Sequence, residues 1–484
     1  MNQQEQLVKN TLIIAFGKLS TQFLTFLLLP LYTAHLSASD YGTVDLILTY
    51  VILLTPMLSL SLDMGVFRFL IDARGNQPAQ KKIVSTVIRI VGMALLLFTI
   101  LYFFIGLFIT IPYLLLAFGV ISAGLLSNLL LQFARGFGDN VKYSIASVII
   151  GVVTILVNIV ALTILNMGAS GMLIAAIVAN AIGAIYLFLS LRINKHIDIN
   201  AADKELTKDL LRYSLPLVPN SLSLWLVLSA NRTLIATMLD LAANGIFAVA
   251  NKFPIIFSGL FSFYYMSWTE SASVNINSNN RDEFFSKAVN ASIRLFGSFA
   301  LCFVAVLPFV FNLMVDAKYN ESYLYIPILL FGSMLSSLVA SYGAIYIAKK
   351  MTKKVLISST MAAVISLGLT VLLTPFIGLF GPSIAMVVAY LAMTIHRYFD
   401  IKKYVTINYD KSAILTVIAA YILVSGLYYI NNPALSILNM TIALVFSAAL
   451  NRSIISIIKT KLFARLRPLT PDQQILEEIE EKKL

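Results

Sequence analysis

Fourteen stretches of predominantly apolar residues follow one another through this chain, most of them joined by short polar segments. Their approximate cores are 12–32, 43–67, 83–107, 112–133, 144–165, 171–191, 214–236, 245–267, 288–312, 323–347, 355–374, 380–396, 412–430 and 434–456. Each reaches or approaches the ~20 residues that carry a helix across ~30 Å of hydrocarbon. In lipid the backbone must satisfy its own hydrogen bonds, so such stretches fold as helices. The expected class is therefore an all-α integral membrane protein with fourteen transmembrane helices. Composition agrees: of 484 residues, 59% are hydrophobic and 12% charged, about half the charge that covers a soluble surface.

The net charge of +12 raises the question of an anionic partner. Placing the N-terminus in the cytoplasm and alternating sides puts 29 of the 35 Lys and Arg residues in inner segments. One, Lys318, falls outside, and five (Lys18, Arg89, Arg232, Lys252 and Arg294) fall within spans. That bias is the positive-inside pattern, so most of the charge encodes orientation, with both termini cytoplasmic. No basic domain is set apart for nucleic acid. Ser37-Ala38-Ser39 resembles a signal-peptidase site, but the preceding apolar region is too long and Lys18 interrupts it. The first span is expected to be retained.

Three histidines far apart (His35, His196, His396) and the single Cys302 exclude an internal disulfide framework, a cysteine-rich metal site and a CxxC redox pair. Walker, Rossmann and catalytic signatures are absent, so neither ATP hydrolysis nor enzyme activity is expected.

A weak internal repeat organises the spans. A shift of 203 residues brings Thr11-Leu12 onto Ser214-Leu215, Leu36 onto Leu239 and Tyr41-Gly42 onto Asn244-Gly245. A shift of 210 brings Gly168-Ala169-Ser170-Gly171 onto Gly378-Leu379-Phe380-Gly381. These matches predict two six-span lobes, 1–205 and 206–405, then two further spans over 406–460 and a tail over 461–484. Six is even, so the lobes are parallel repeats, an arrangement that places a transporter's substrate site at the lobe interface. The basic stretch Lys461 to Arg467 suits anionic headgroups, and Thr470-Pro471-Asp472 opens a short acidic helix.

Charge within a span costs about 2.5–3.5 kcal/mol, so it normally faces a cavity or a partner. Span 2 sets Asp45, Thr49, Ile52, Pro56, Ser59 and Asp63 at steps of three and four, on one helical face. Span 1 offers Lys18, Gln22 and Thr25, and span 7 offers Ser221, Trp225, Ser229 and Arg232. Lys252 occupies the repeat position of Thr49, and Arg89 and Arg294 lie two positions apart after the shift. Lys18, Gln22, Arg89, Arg232, Lys252 and Arg294 are the candidate substrate ligands, lining a net cationic cavity that suits a phosphate or pyrophosphate. Simpler roles compete: Arg89, Arg294 and Arg232 sit near span ends and can snorkel, and Asp63 can pair with Arg68. Asp45 and Asp63 are the candidates for coupling to an ion.

The opening Lys9-Asn10-Thr11-Leu12, Phe26-Leu27-Leu28-Leu29-Pro30-Leu31-Tyr32, Leu36-Ser37 and Asp40-Tyr41-Gly42 resemble the Wzx-like polysaccharide flippases. These share a superfamily with the lipid II flippases and the MATE drug exporters. The resemblance covers essentially the whole chain. It implies a bacterial inner-membrane protein that moves an undecaprenyl-pyrophosphate-linked oligosaccharide to the outer leaflet, alongside other polysaccharide assembly proteins. It also implies alternating access driven by H+ or Na+, with no cofactor, and cationic residues such as Lys18 and Lys252 on the pyrophosphate. A MATE-type exporter of cationic drugs is the alternative, disfavoured by the basic cavity and by spans 13 and 14. A polymerase or ligase would want a larger outer loop than 313–322.

Overall fold

The computed structural model describes residues 26–198, 203–452 and 456. Among them the chain is helical, without a β-strand. In chain order the helices are α1 (Leu29–His35), α2 (Ala38–Leu58), α3 (Leu62–Asp72), α4 (Gln77–Gly106), α5 (Leu114–Phe137), α6 (Asn140–Ile159), α7 (Gly168–Ser190), α8 (Lys204–Ser214) and α9 (Leu217–Leu228). They continue as α10 (Ala230–Met238), α11 (Leu241–Asn275), α12 (Arg281–Met314), α13 (Ile326–Ala348), α14 (Thr352–Ile377), α15 (Phe380–Ile401), α16 (Lys411–Ile430) and α17 (Pro433–Leu450).

Twelve described helical stretches are long and apolar enough to cross a membrane, and the protein is a multi-pass membrane protein. They correspond to twelve of the fourteen expected spans. Span 1, with Lys18 and Gln22, lies mostly outside the described residues. Span 7 is not one helix: the backbone breaks at Ser229, φ −134°, between α9 and α10. Span 2 also departs from expectation, because Leu60 and Ser61 adopt left-handed φ of 53° and 51°. α2 therefore ends near Leu58, and α3 begins a separate helix at Leu62.

The chain divides into two compact units, Met1–Arg281 with Phe309–Thr406, and Asp282–Pro308 with Ile407–Leu484. In the first, α2 and α11 open at positions 203 residues apart with matching caps. Ser37 Oγ accepts from the Asp40 N–H at 3.1 Å, and Asp240 Oδ1 accepts from the Ala243 N–H at 2.7 Å. Such caps satisfy donors that the first turn leaves free. A few residues on, the helices cross at Gly42 and Gly245. A Cβ on Gly42 would stand 1.8 Å from the Leu241 carbonyl oxygen, and one on Gly245 1.9 Å from that of Ala38. Only glycine permits this approach. The buried Asn244 side chain donates to the Gly42 carbonyl at 2.8 Å, pinning the crossing. The loop after α12 adds a clamp: the Tyr319 hydroxyl donates to the Leu36 and Ser37 carbonyls at 3.1 and 2.9 Å.

In the second unit, α12 holds its neighbours through a stripe of every fourth residue. Ser286 Oγ accepts from the Asn408 N–H at 2.9 Å, Asn290 Oδ1 from the Asp410 N–H at 3.0 Å, and Arg294 pairs with the Asp410 carboxylate. One and two turns further on, Ser298 and Cys302 meet α17. Asn451 donates to Ser298 Oγ at 2.7 Å, and Cys302 Sγ lies 3.2 Å from Ser447 Oγ.

Candidate functional site

The interior of the first unit gathers charge on three elements. α2 supplies Asp45, α10 supplies Arg232, and α11 supplies Lys252. Arg232 Nη1 lies 2.6 Å from Asp45 Oδ2, and each side chain retains only 15% of its exposure. Lys252 is partly buried within electrostatic reach of both. Two cations face one carboxylate, so the cluster carries a net positive charge where little water screens it. Desolvated charge of that kind calls for a partner.

The cluster is held by packing around the break in span 7. The buried Trp225 indole donates to the Thr49 carbonyl at 3.0 Å, and its ring stacks on Tyr50 with centroids 6.3 Å apart. Thr233 Oγ1 donates to the Tyr50 hydroxyl at 3.4 Å. Beyond the break, Asn231 Nδ2 donates to Ser366 Oγ and Asn231 Oδ1 accepts from Thr370 Oγ1, both at 3.3 Å. A discontinuous helix suits this place: its freed backbone groups are buried in protein, and short polar side chains engage nearby. α9 and α10 are thus tied to α2 on one side and to α14 on the other.

The other sequence-predicted residues lie elsewhere. Lys18 and Gln22 fall outside the described residues. Arg89 is exposed on α4. Arg294 belongs to the second unit and is paired with Asp410. Asp63 is buried at the start of α3, accepting from Ser59 Oγ at 3.3 Å and Asn128 Nδ2 at 3.4 Å. It does not pair with Arg68, which binds Asp72 at 2.5 Å one turn further along α3. The break at Leu60 and Ser61 also separates Asp63 from the helix of Asp45, so the expected span 2 stripe is not continuous.

One interior cation escaped the sequence reading. Arg397, counted there among inner-loop residues, is 3% exposed within α15. Its guanidinium donates to Ser358 Oγ at 3.0 and 2.9 Å and to the Val339 carbonyl at 2.7 Å. The signal was present in the spacing. Gly381, Ala385, Ala389, Met393, Arg397 and Ile401 recur every fourth residue, and all are buried.

A family model described as "Polysaccharide biosynthesis protein" matches residues 7–269, more than half of the chain. The chain belongs to this family. Among solved structures, one described as "Lipid II flippase MurJ, inward closed conformation" aligns with a TM-score of 0.66 at 16% identity, covering 93% of this chain and 100% of that one. An inward-facing multidrug resistance MATE family transporter of the MOP superfamily aligns at 0.65 and 16% identity, covering 81% and 98%. An outward-facing MATE structure aligns at 0.51 and 15% identity, covering 81% and 93%. No curated protein matches the chain. At such identities the likeness shows the fold alone. This polysaccharide biosynthesis family member therefore has the fold shared by the lipid II flippase and the MATE transporters, as the opening motifs implied.

Proposed function

We propose that this protein is a flippase that carries a polyprenyl-pyrophosphate-linked oligosaccharide, of the undecaprenyl type, from the inner to the outer leaflet of a bacterial inner membrane. The observation that carries the reading is the net cationic cluster of Asp45, Arg232 and Lys252 within a polysaccharide biosynthesis family member. A pyrophosphate supplies the anion that the cluster calls for, and a guanidinium can meet phosphate oxygens in pairs. Lys18 and Gln22 of span 1 are further candidate ligands, and Arg89 is a secondary contact for a charged substrate as it enters.

Two lobes, 1–205 and 206–405, rock about the cluster in this reading, with both termini cytoplasmic. The Gly42–Gly245 crossing is the outer gate in its closed state. Higher similarity to the inward-facing and inward closed structures, 0.65 and 0.66, than to the outward-facing one, 0.51, supports that state. Asp45 exchanges Arg232 for a proton or sodium ion during the cycle, and Asp63 is the second candidate for coupling. A multidrug exporter is the competing reading, since the MATE structures share the fold. The cationic cluster weighs against cationic drugs.

The deciding experiment compares Lys252→Ala and Lys252→Arg with the wild type in a strain lacking its own copy. Loss of surface glycan in Lys252→Ala, with normal membrane abundance and lipid-linked repeat units held in the inner leaflet, is the expected result. Wild-type glycan with Lys252→Ala refutes the site. Restored resistance to cationic dyes without any glycan phenotype points to the exporter.

A further inference from the structure

We propose that the second unit carries a lipid-headgroup site, a cleft of about 440 Å3 that takes the phosphodiester of an anionic phospholipid. Arg294 from α12, Asp410, Ser412 and Thr416 from the start of α16, and Ala449 and Arg452 from the end of α17 line it. The α12 stripe builds this corner. Asn290 and Arg294 fix Asp410, which caps α16 through the Ala413 N–H at 3.0 Å, while Ser298 fixes Asn451 beside Arg452. The cleft is thus framed by buried or half-buried hydrogen bonds.

Its charge selects the ligand. Asp410 is already satisfied by Arg294 and by a backbone N–H, so that pair is neutral. Arg452 is exposed and has no partner among the described residues, which leaves one uncompensated positive charge at the rim. A single phosphodiester matches that charge, with the Ser412 and Thr416 hydroxyls free to donate to its oxygens. A zwitterionic headgroup would bring an ammonium to a carboxylate that is already paired.

The surroundings select a lipid over a dissolved ion. Along α16 the polar cleft gives way within one turn to exposed Leu415, then to Ile418 and Ile422, at 69%, 39% and 68% exposure. That apolar surface, running along the helix from the phosphate position, is where acyl chains would lie. The cleft opens where α16 starts and α17 ends, the depth at which headgroups meet helix termini. None of this depends on what the protein transports.

The test uses the full-length protein in detergent, offered equal amounts of phosphatidylglycerol and phosphatidylethanolamine and read by native mass spectrometry. Wild type is expected to retain phosphatidylglycerol preferentially, and Arg452→Gln to lower that retention about fivefold, the factor for one basic side chain near a surface. Ala449→Phe, which fills the cleft from its rim, gives the same loss and serves if Arg452→Gln melts early. Arg68→Gln, an exposed charge in the other unit, leaves retention unchanged. Equal retention of both lipids by wild type, equal retention by wild type and both cleft variants, or an equal drop in Arg68→Gln overturns the site. Displacement of the lipid by millimolar inorganic phosphate overturns the lipid assignment in favour of a dissolved anion.

Discussion

Gly42 and Gly245 stand 203 residues apart and touch backbone to backbone, each where the other's helix leaves no room for a Cβ. The internal repeat relates the same two positions. In the proposed alternating-access cycle the contact lies on or near the pseudo-twofold axis of the repeat, and the helices meeting there separate or close as the proposed lobes rock, which makes this crossing the proposed gate.

Gly245→Ala should therefore act on conformation more than on folding. The added methyl meets a backbone oxygen, which cannot rotate away, so the crossing must open at a cost of about 1–3 kcal/mol. That corresponds to a roughly five- to 150-fold shift away from the closed crossing. A reporter cysteine in place of Thr43, buried beside the crossing and labelled with a membrane-impermeant maleimide on intact cells, should react faster in Gly245→Ala than in its parent. Unchanged labelling with unchanged transport would remove the crossing from the gating cycle.

Breaking the ion pair of Asp45 and Arg232 leaves one charge poorly solvated. Fully buried pairs lose 3–5 kcal/mol when one partner is removed; here 15% exposure of each side chain tempers the loss to about 2–3 kcal/mol. Asp45→Asn and Arg232→Gln should each lower the melting temperature. The exchange Asp45→Arg with Arg232→Asp should recover most of that stability and still abolish glycan export, because the cation then projects from α2. Full export by the exchanged pair would show that the two residues serve architecture alone.

Arg397 should tolerate no replacement by lysine. Its guanidinium spans Ser358 and the Val339 carbonyl together, and an ammonium cannot reach both in the same plane. Arg397→Lys is expected to cost about as much as Arg397→Met, on the order of 2 kcal/mol, from the unpaired buried groups left behind. Gly343→Ala should have a similar effect, since its Cβ would stand 2.7 Å from the guanidinium. Melting temperatures of the three variants settle the matter, and a wild-type value for Arg397→Lys would count against this role.

Asp410 gives the protein a measurable acid dependence. The Ala413 N–H first and Arg294 second hold its carboxyl below the usual carboxylate range. A carboxyl with a depressed pKa stabilises the fold above its unfolded value of about 4, and that contribution fades as pH falls through the lower native value. The side chain is one-third exposed, so solvent screening keeps the effect small. Asp410→Asn should melt below wild type at pH 7, with the gap closing towards pH 3. A gap of constant size across that range would mean that charge is irrelevant to the cap.

Much of this architecture was legible in the residues. Twelve spans stand where hydropathy set them, because apolar length in lipid leaves the backbone no choice except a helix. The repeat sets Gly42 over Gly245, and Asp45, Arg232 and Lys252 stand out as charges within apolar spans. The continuity of the helices that carry them does not show in the residues. Nothing in hydropathy marks Leu60 and Ser61 as left-handed, a turn closed by the Ser61 N–H on the Pro56 carbonyl at 2.8 Å, or Ser229 as a break, flanked by Trp225 and Asn231 that bond to other helices. Arg294 and Arg397 show the same limit, since a guanidinium near a span end is equally able to snorkel, to pair or to be buried.

By itself, then, the sequence determined that this chain lives in a membrane, roughly where its helices run, and which charges had to find a partner. Those outcomes follow from local chemistry, the transfer cost of each residue and the hydrogen bonding of its own backbone. Tertiary structure decided which charges meet. Asp45 takes Arg232 and not a neighbour on its own helix, Asp63 takes Ser59 and Asn128 and not Arg68, and Arg294 takes Asp410. A charge in a low-dielectric interior is governed by whatever lies within a few ångströms, and each of these three partnerships includes a group more than sixty residues away along the chain.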